Sequence, residues 1–163
     1  MVYKRANSMA LWEREVTTIR GLHHTGLTVA NLDRSIAFYQ SVFSDLELVG
    51  PWLHAGKGVG YVTGYRGCSV RQAFLRGHTI VIELLEYIDG GAPIDPANGN
   101  SGAVHFCVMI DDVDETYERL LAAGHTFVSP PITAYKNDVM YGRVTYLIDP
   151  DGIRVELYQA LPA

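Results

Sequence analysis

The chain contains one segment twice, and this duplication constrains its fold more than any other feature of the sequence. Residues 21–39 and residues 102–121 each read as a short strand, a turn and a helix. A histidine lies at the equivalent place in each strand, His24 in the first copy and His105 in the second. The other matched positions are Leu27 with Val108, Val29 with Ile110, Leu32 with Val113, and Asp33 with Asp114. Such a repeat predicts two similar strand–helix units, each with an apolar face to bury.

The rest of each half reads as further strands. Alternating apolar residues and turn signals predict strands at residues 70–75, 79–87, 103–110, 143–148 and 153–158. The Gly-rich residues 50–67 are expected to be a loop with a short strand at 59–63. We therefore predict an α+β fold in which two tandem βαβββ modules form a cupped, mostly antiparallel sheet around a metal site. The predicted boundaries are an N-terminal arm at 1–18, a first module at 19–92, a linker at 93–101 and a second module at 102–163.

The composition limits the class of protein. Of the 163 residues, 48% are hydrophobic and 19% are charged, which is typical of a globular chain. The net charge of −5 does not favour a nucleic acid or an anionic membrane as a partner. Cys68 and Cys107 lack metal-type spacing, and the N-terminus does not resemble a signal peptide. We expect a cytoplasmic protein.

Each half ends in a strand that carries a glutamate between apolar residues, Glu83 in the first and Glu156 in the second. An ionised carboxylate in a buried strand is costly unless a partner compensates its charge. If the first and last strands of each half are neighbours, His24 lies beside Glu83 and His105 beside Glu156. Two imidazoles and two carboxylates suit one divalent ion, which we expect to be Ni, Co, Mn, Zn or Fe.

Competing interpretations exist for several of these residues. A single histidine is more often a packed or surface residue than a ligand, and only the repeat favours His24 over its neighbour His23. Glu86 is the rival of Glu83, lies on the other face of the strand, and is expected to be solvated or at a subunit contact. The remaining histidines, which we expect to be solvated, are His54, His78 and His125. Tyr141 and Arg143 are predicted to contact substrate at the mouth of the cup.

Three motifs carry a resemblance to a known family. They are HTGLTV from His24, DRSIAFY from Asp33 and DPDGIRVEL from Asp149. Together with the duplicated modules, they resemble the vicinal oxygen chelate superfamily, and the His-Glu-His-Glu set looks like that of glyoxalase I and of related epimerases. Residues 70–75 and 82–86 resemble the corresponding stretch of methylmalonyl-CoA epimerases.

The resemblance implies an enzyme with a small carbonyl substrate, and a homodimer, because sites in this family are often completed between two chains. It favours a metal-dependent isomerase or epimerase in which Glu156 and Glu83 exchange a proton through a metal-bound enolate. The alternatives are a glyoxalase I-type lactoylglutathione lyase, an Fe(II) dioxygenase, and a non-catalytic ligand-binding or resistance protein. Whether the four ligands come from one chain or two stays open.

Overall fold

The computed structural model describes residues 19–161, so the arm predicted at 1–18 lies outside the described residues. The elements are β1 (Thr25–Thr28), α1 (Leu32–Val42), β2 (Glu47–His54), α2 (Lys57–Thr63), β3 (Val70–Arg76), β4 (Val81–Tyr87), β5 (His105–Met109), α3 (Val113–Ala122), β6 (Thr126–Phe127), β7 (Ile132–Lys136), β8 (Val139–Ile148) and β9 (Arg154–Ala160). None of the helices in this described range is long and apolar enough to cross a membrane.

The strands form two sheets, which confirms the predicted α+β fold. The first sheet has the order β1-β4-β3-β2, and the second has the order β5-β9-β8-β6, with β7 also paired to β8. Within each sheet the first strand runs parallel to the last, and the other pairings are antiparallel. The first and last strands of each half are therefore neighbours. Residues 88–104, all described, form neither helix nor strand and connect the two sheets.

The prediction for residues 50–67 was wrong. β2 extends to His54 across a register shift between Val49 and Trp52, and residues 57–63 form α2 instead of a strand. Gly56 and Gly64 flank α2 with positive φ angles of 97° and 73°. Glycine adopts such angles without steric cost. The high glycine content, which suggested a loop, belongs to the ends of this short helix.

The two long helices begin in the same way. Asn31 precedes α1, and its side-chain oxygen accepts a hydrogen bond from the Arg34 backbone N–H at 2.8 Å. Asp112 precedes α3 and accepts from the Glu115 N–H at 2.9 Å. Each cap satisfies a backbone donor that the first helical turn leaves free. The repeat in the sequence therefore reproduces the helix start as well as the strand.

The expectation that Glu86 is solvated was wrong, because only 18% of its side chain is exposed. Glu86 lies on the face of β4 that carries α1, where its Oε2 accepts from Arg71 at 2.7 Å and from the backbone N–H of Leu32 at 3.4 Å. Arg71 also bonds both oxygens of Asp33 in α1 at 3.0 Å. In the second sheet Arg143 binds Asp114 of α3 in the corresponding way. In each half, an ion pair between an arginine of the sheet and an aspartate of the helix thus joins the two elements.

The helix-bearing faces of both sheets share one core. Its fully buried side chains include Leu32 and Tyr39 of α1, Leu84 of β4, Leu120 of α3 and Leu157 of β9. Burying each such side chain contributes about 1.5–3 kcal/mol. Because this core joins both sheets through their helix-bearing faces, the opposite faces are left open.

Candidate metal centre

The predicted ligands lie on the open faces of the sheets. Side chains alternate between the two faces of a strand. Ile82 and Leu84 are buried on the helix side of β4, so Glu83 points to the open side. Val155 and Leu157 are likewise buried in β9. Glu156 therefore points to the open side of the second sheet.

In the first sheet His24 and Glu83 meet as predicted. Their Nε2 and Oε2 atoms are 3.2 Å apart, and the carboxylate is the less exposed partner, with 13% of its side chain exposed against 35% for the histidine. Gly26 lies opposite Glu83, and a Cβ there would come within 3.1 Å of Oε2. A larger residue at this position would require the carboxylate to shift by a few tenths of an ångström.

His23 contacts His24, and both residues immediately precede β1. Its Nδ1 lies 2.7 Å from Nδ1 of His24, and the two rings meet edge to face with centroids 4.9 Å apart. One of these two nitrogens must carry a hydrogen. If Nε2 of His24 binds a metal ion, its Nδ1 is the donor and His23 the acceptor, an arrangement that orients metal-bound imidazoles.

Two further polar residues form hydrogen bonds next to the first pair, and the sequence analysis missed both contacts. The side-chain amide of Gln72 donates to Oε1 of Glu83. His54 is exposed, as expected, and its Nε2 lies 2.8 Å from the side-chain carbonyl oxygen of Gln72. Gln72 lies on β3, next to β4. The alternation of β3 could have placed Gln72 on the open face, but only the strand register brings it to the carboxylate.

In the second sheet His105 and Glu156 form the matching pair, with Nε2 and Oε2 3.2 Å apart. The hydroxyl of Tyr146, which lies opposite Glu156 on β8, donates to the same oxygen at 2.8 Å. Burial and the hydrogen bond to Glu156 raise the pKa of Tyr146 to about 12. Burial and the charge of Glu156 raise the pKa of the Cys107 thiol to about 11. Both groups are therefore protonated at neutral pH.

The two residues predicted to contact substrate lie in different places. Arg143 is on the helix-bearing face, where Nε binds Asp114 at 2.9 Å and Nη1 binds the Thr133 hydroxyl at 3.1 Å. The structure does not bring its guanidinium to Glu156. Tyr141 packs near Tyr158, with ring centroids 6.2 Å apart, and is about half exposed. It remains a candidate for the rim of the site.

The structure brings the predicted ligands together in pairs, not as a set of four. Among residues 19–161, no three His, Cys, Asp or Glu side chains form a group that could hold a metal ion. Each pair offers one imidazole nitrogen and one carboxylate oxygen, 3.2 Å apart and facing outward. Two donors at this separation can both bind one ion at about 2.0–2.2 Å. The donors therefore fit a divalent ion, but each pair supplies only half of a four-ligand site.

Comparison with known proteins identifies the family. The chain belongs to the Glyoxalase/Bleomycin resistance protein/Dioxygenase superfamily, whose family model matches residues 21–157. It is 30% identical over 151 residues to a lactoylglutathione lyase of Pseudomonas aeruginosa, covering 85% of this chain and 81% of that protein. It is 29% identical over 155 residues to a 2-epi-5-epi-valiolone epimerase of an Actinomyces species, covering 87% and 80%. The resemblance seen in the sequence is thereby confirmed.

Solved structures show the same fold. A glyoxalase family protein of Bacillus cereus superposes with a TM-score of 0.75 at 24% identity, covering 91% of this chain and 99% of that one. A mutant of the fosfomycin resistance protein FosX of Listeria monocytogenes, in complex with Mn(II) and a dihydroxypropylphosphonic acid, has a TM-score of 0.61 at 24% identity, covering 88% and 95%. That FosX structure contains a bound divalent metal ion.

Proposed function

We propose that the protein is a divalent-metal-dependent isomerase or epimerase that removes and returns a proton on the carbon next to a carbonyl group. The observation that carries this proposal is the occurrence of two matched His–Glu pairs at equivalent positions of two related sheets. An epimerase and a lyase among the relatives at about 30% identity support an enzyme of this kind.

The metal would be held by His24, Glu83, His105 and Glu156. When bound, such an ion acts as a Lewis acid that polarises the carbonyl oxygen and makes the neighbouring C–H more acidic. Ni, Co, Mn, Zn and Fe all accept imidazole nitrogen and carboxylate oxygen as ligands. Elemental analysis beside a His105→Ala variant tests this site; about one ion per complete site, lost in the variant, is the expected result.

The two glutamates are assigned the proton transfers. Epimerisation requires that the proton leave one face of the substrate carbon and return to the other. Glu83 and Glu156 come from equivalent strands of two sheets. If a second chain brings a first sheet and a second sheet together, one carboxylate faces each side of the substrate, with one acting as general base and the other as general acid.

Solvent-deuterium incorporation tests this assignment. In D₂O, Glu83→Gln and Glu156→Gln are each expected to abolish epimerisation, while the variant that keeps the base for a given epimer still exchanges its proton. Unchanged exchange and unchanged epimerisation in both variants would contradict the assignment.

We also propose that a second copy of the chain completes each site. The supporting observation is that no group of three ligands forms among the described residues, while both pairs face outward. Apolar side chains stay exposed in the same two sheets, including those of Trp52 on β2, Met109 on β5 and Ile132 on β7. A homodimer that joins a first sheet to a second sheet of the partner would cover these side chains.

Mixing two inactive variants tests the shared site. One chain carries His24→Ala with Glu83→Gln, and the other carries His105→Ala with Glu156→Gln. If each site uses one pair from each chain, the mixed dimer regains one intact site, and its metal content rises to about one ion per dimer. If all four ligands come from one chain, mixing restores neither metal nor activity.

A lactoylglutathione lyase is the second candidate. The identity of 30% with a lyase of that name, over most of both chains, supports it. The test is to add glutathione and methylglyoxal to the metal-loaded protein and to measure formation of the thioester. Thioester formation in the wild type and its loss in Glu156→Gln would favour the lyase over the epimerase.

A further inference from the structure

The carboxylate of Glu83 is held by a chain of side chains that lies outside the proposed ligand set. The amide nitrogen of Gln72 donates to Oε1 of Glu83. The carbonyl oxygen of the same amide lies 2.8 Å from Nε2 of His54. Oε2 of Glu83 is the atom that faces His24. The two oxygens of this carboxylate therefore have different partners.

The chemistry of these groups sets the direction in which the hydrogen bonds are donated. An ionised carboxylate can only accept hydrogen bonds, so the amide nitrogen of Gln72 must face Glu83. The carbonyl oxygen of Gln72 is then left as an acceptor, and Nε2 of His54 must carry a hydrogen to bond with it. Donation runs from His54 to Gln72 and from Gln72 to Glu83. A side-chain amide that is hydrogen-bonded through both its nitrogen and its oxygen cannot rotate without losing a hydrogen bond.

In the second sheet, a different residue donates the hydrogen bond to the glutamate. Phe74 lies opposite Glu83, and Tyr146 lies opposite Glu156. Two residues earlier on the same strands stand Gln72 and Val144. In the first sheet the hydrogen-bond donor is thus the amide at the earlier position, and the residue opposite the glutamate is a phenyl ring. In the second sheet the donor is the phenol opposite the glutamate, and the earlier position is apolar.

We propose that Gln72, fastened by His54, is a positioning residue that fixes the carboxylate of Glu83 with Oε2 turned toward His24. The proposal rests on the proposed metal site. In this orientation, Glu83 and His24 are already arranged as two ligands before the ion binds. Groups that hydrogen-bond to metal ligands typically alter metal affinity by about 10–100-fold when they are removed. Gln72 is expected to act in this range and not to touch the substrate.

The experiment compares four chains by metal titration. Gln72→Val copies the residue of the second sheet and is expected to weaken metal binding by about 10–100-fold. Gln72→Val combined with Phe74→Tyr transplants the whole arrangement of the second sheet, so that a phenol replaces the lost amide donor. This double variant is expected to recover most of the affinity. Gln40→Val is the matched control, because the amide of Gln40 donates to the carbonyl of Leu46, on α1 and away from the open face.

A measurement on the metal-free protein tests the contact itself. A side-chain amide that donates to a carboxylate has a downfield-shifted proton resonance, which two-dimensional NMR resolves for Gln72. We expect this shift in the wild type, its loss in Glu83→Ala, and its reduction in His54→Ala. A Gln72 resonance that does not respond to Glu83→Ala would overturn the proposal.

The titration can also overturn the proposal. Gln72→Val with wild-type metal affinity would show that the amide does not position the ligand. A loss of affinity that is matched by a loss of melting temperature and is not recovered by Phe74→Tyr would show a general structural role. If the wild type binds no metal ion, the proposed function fails, whereas the NMR result still decides whether Gln72 holds Glu83.

Discussion

Replacing Tyr39 by phenylalanine tests the contact that joins α1 to the turn of the second sheet. Tyr39 is fully buried, and its hydroxyl donates to Oδ2 of Asp149 at 3.0 Å. The other oxygen of Asp149 accepts from the backbone N–H groups of Asp151 and Ile153 at 2.9 and 2.7 Å. A hydrogen bond to a buried charged group contributes about 1.5–3 kcal/mol. We expect Tyr39→Phe to lower the free energy of unfolding by about 2 kcal/mol, or the melting temperature by about 4–8 °C.

The loss should depend on pH because Asp149 titrates. Burial raises the pKa of Asp149 above its ordinary value, although the Ile153 N–H and the Tyr39 hydroxyl oppose this shift. A carboxyl with a raised pKa contributes stability that is complete below its unfolded value of about 3.9, and this contribution is lost as the pH rises through the folded pKa. The Tyr39 hydroxyl stabilises the charged carboxylate more than the neutral carboxyl, because a hydrogen bond to a charged acceptor is the stronger one. The destabilisation should therefore be larger at pH 7 than below about pH 4.

Urea unfolding of Tyr39→Phe, Asp149→Asn and the double variant at both pH values measures this effect. Burial and the neighbouring Asp149 raise the pKa of Tyr39, so its hydroxyl remains a donor throughout. The double-variant cycle should give a coupling energy of about 1–2 kcal/mol at pH 7 and less at low pH. A loss below about 0.5 kcal/mol, or an equal loss at both pH values, would refute the reasoning.

Three further predictions follow from single contacts. Gly26→Ala places a Cβ 3.1 Å from Oε2 of Glu83, so metal affinity should fall with little change in melting temperature; calorimetric titration checks this, and unchanged affinity would contradict it. Leu120→Ala empties a fully buried position of α3 and should cost about 2–5 kcal/mol, measured by chemical unfolding; a smaller cost would mean that the core collapses onto the gap. Arg143→Ala removes the ion pair with Asp114 on the helix-bearing face, so the melting temperature should fall while the metal affinity stays unchanged. A loss of metal affinity in this variant would show that Arg143 takes part in the site.

The sequence predicted the two His–Glu pairs because their positions depend on local pattern. The repeat selected His24 over His23, and strand alternation placed Glu83 and Glu156 on one face of their strands. The hairpin signal likewise predicted the neighbouring strands that the structure shows as Val70–Arg76 and Val81–Tyr87. These features need only the period of a strand and the residue types of a turn.

The contacts that orient the carboxylates could not be predicted from the sequence. Gln72 reaches Glu83, and Tyr146 reaches Glu156, only because of the register between neighbouring strands. Glu86 was expected to be solvated or at a subunit contact because it lies on the face of its strand opposite Glu83, whereas its partner Arg71 comes from another strand. Arg143 was expected near the substrate, yet its ion pair with Asp114 depends on where α3 crosses the sheet. Each of these contacts joins elements whose relative placement the local pattern does not contain.

The sequence by itself determined that the protein has two matched modules, each with a histidine at or just before the start of its first strand and a glutamate on its last. The tertiary structure decided that these ligands meet as two separate pairs within the described chain. The physical reason is the shared core. It buries the apolar, helix-bearing faces of both sheets together, with Tyr39 reaching across to Asp149. The open faces, and the His–Glu pairs on them, therefore turn away from that core and not toward each other.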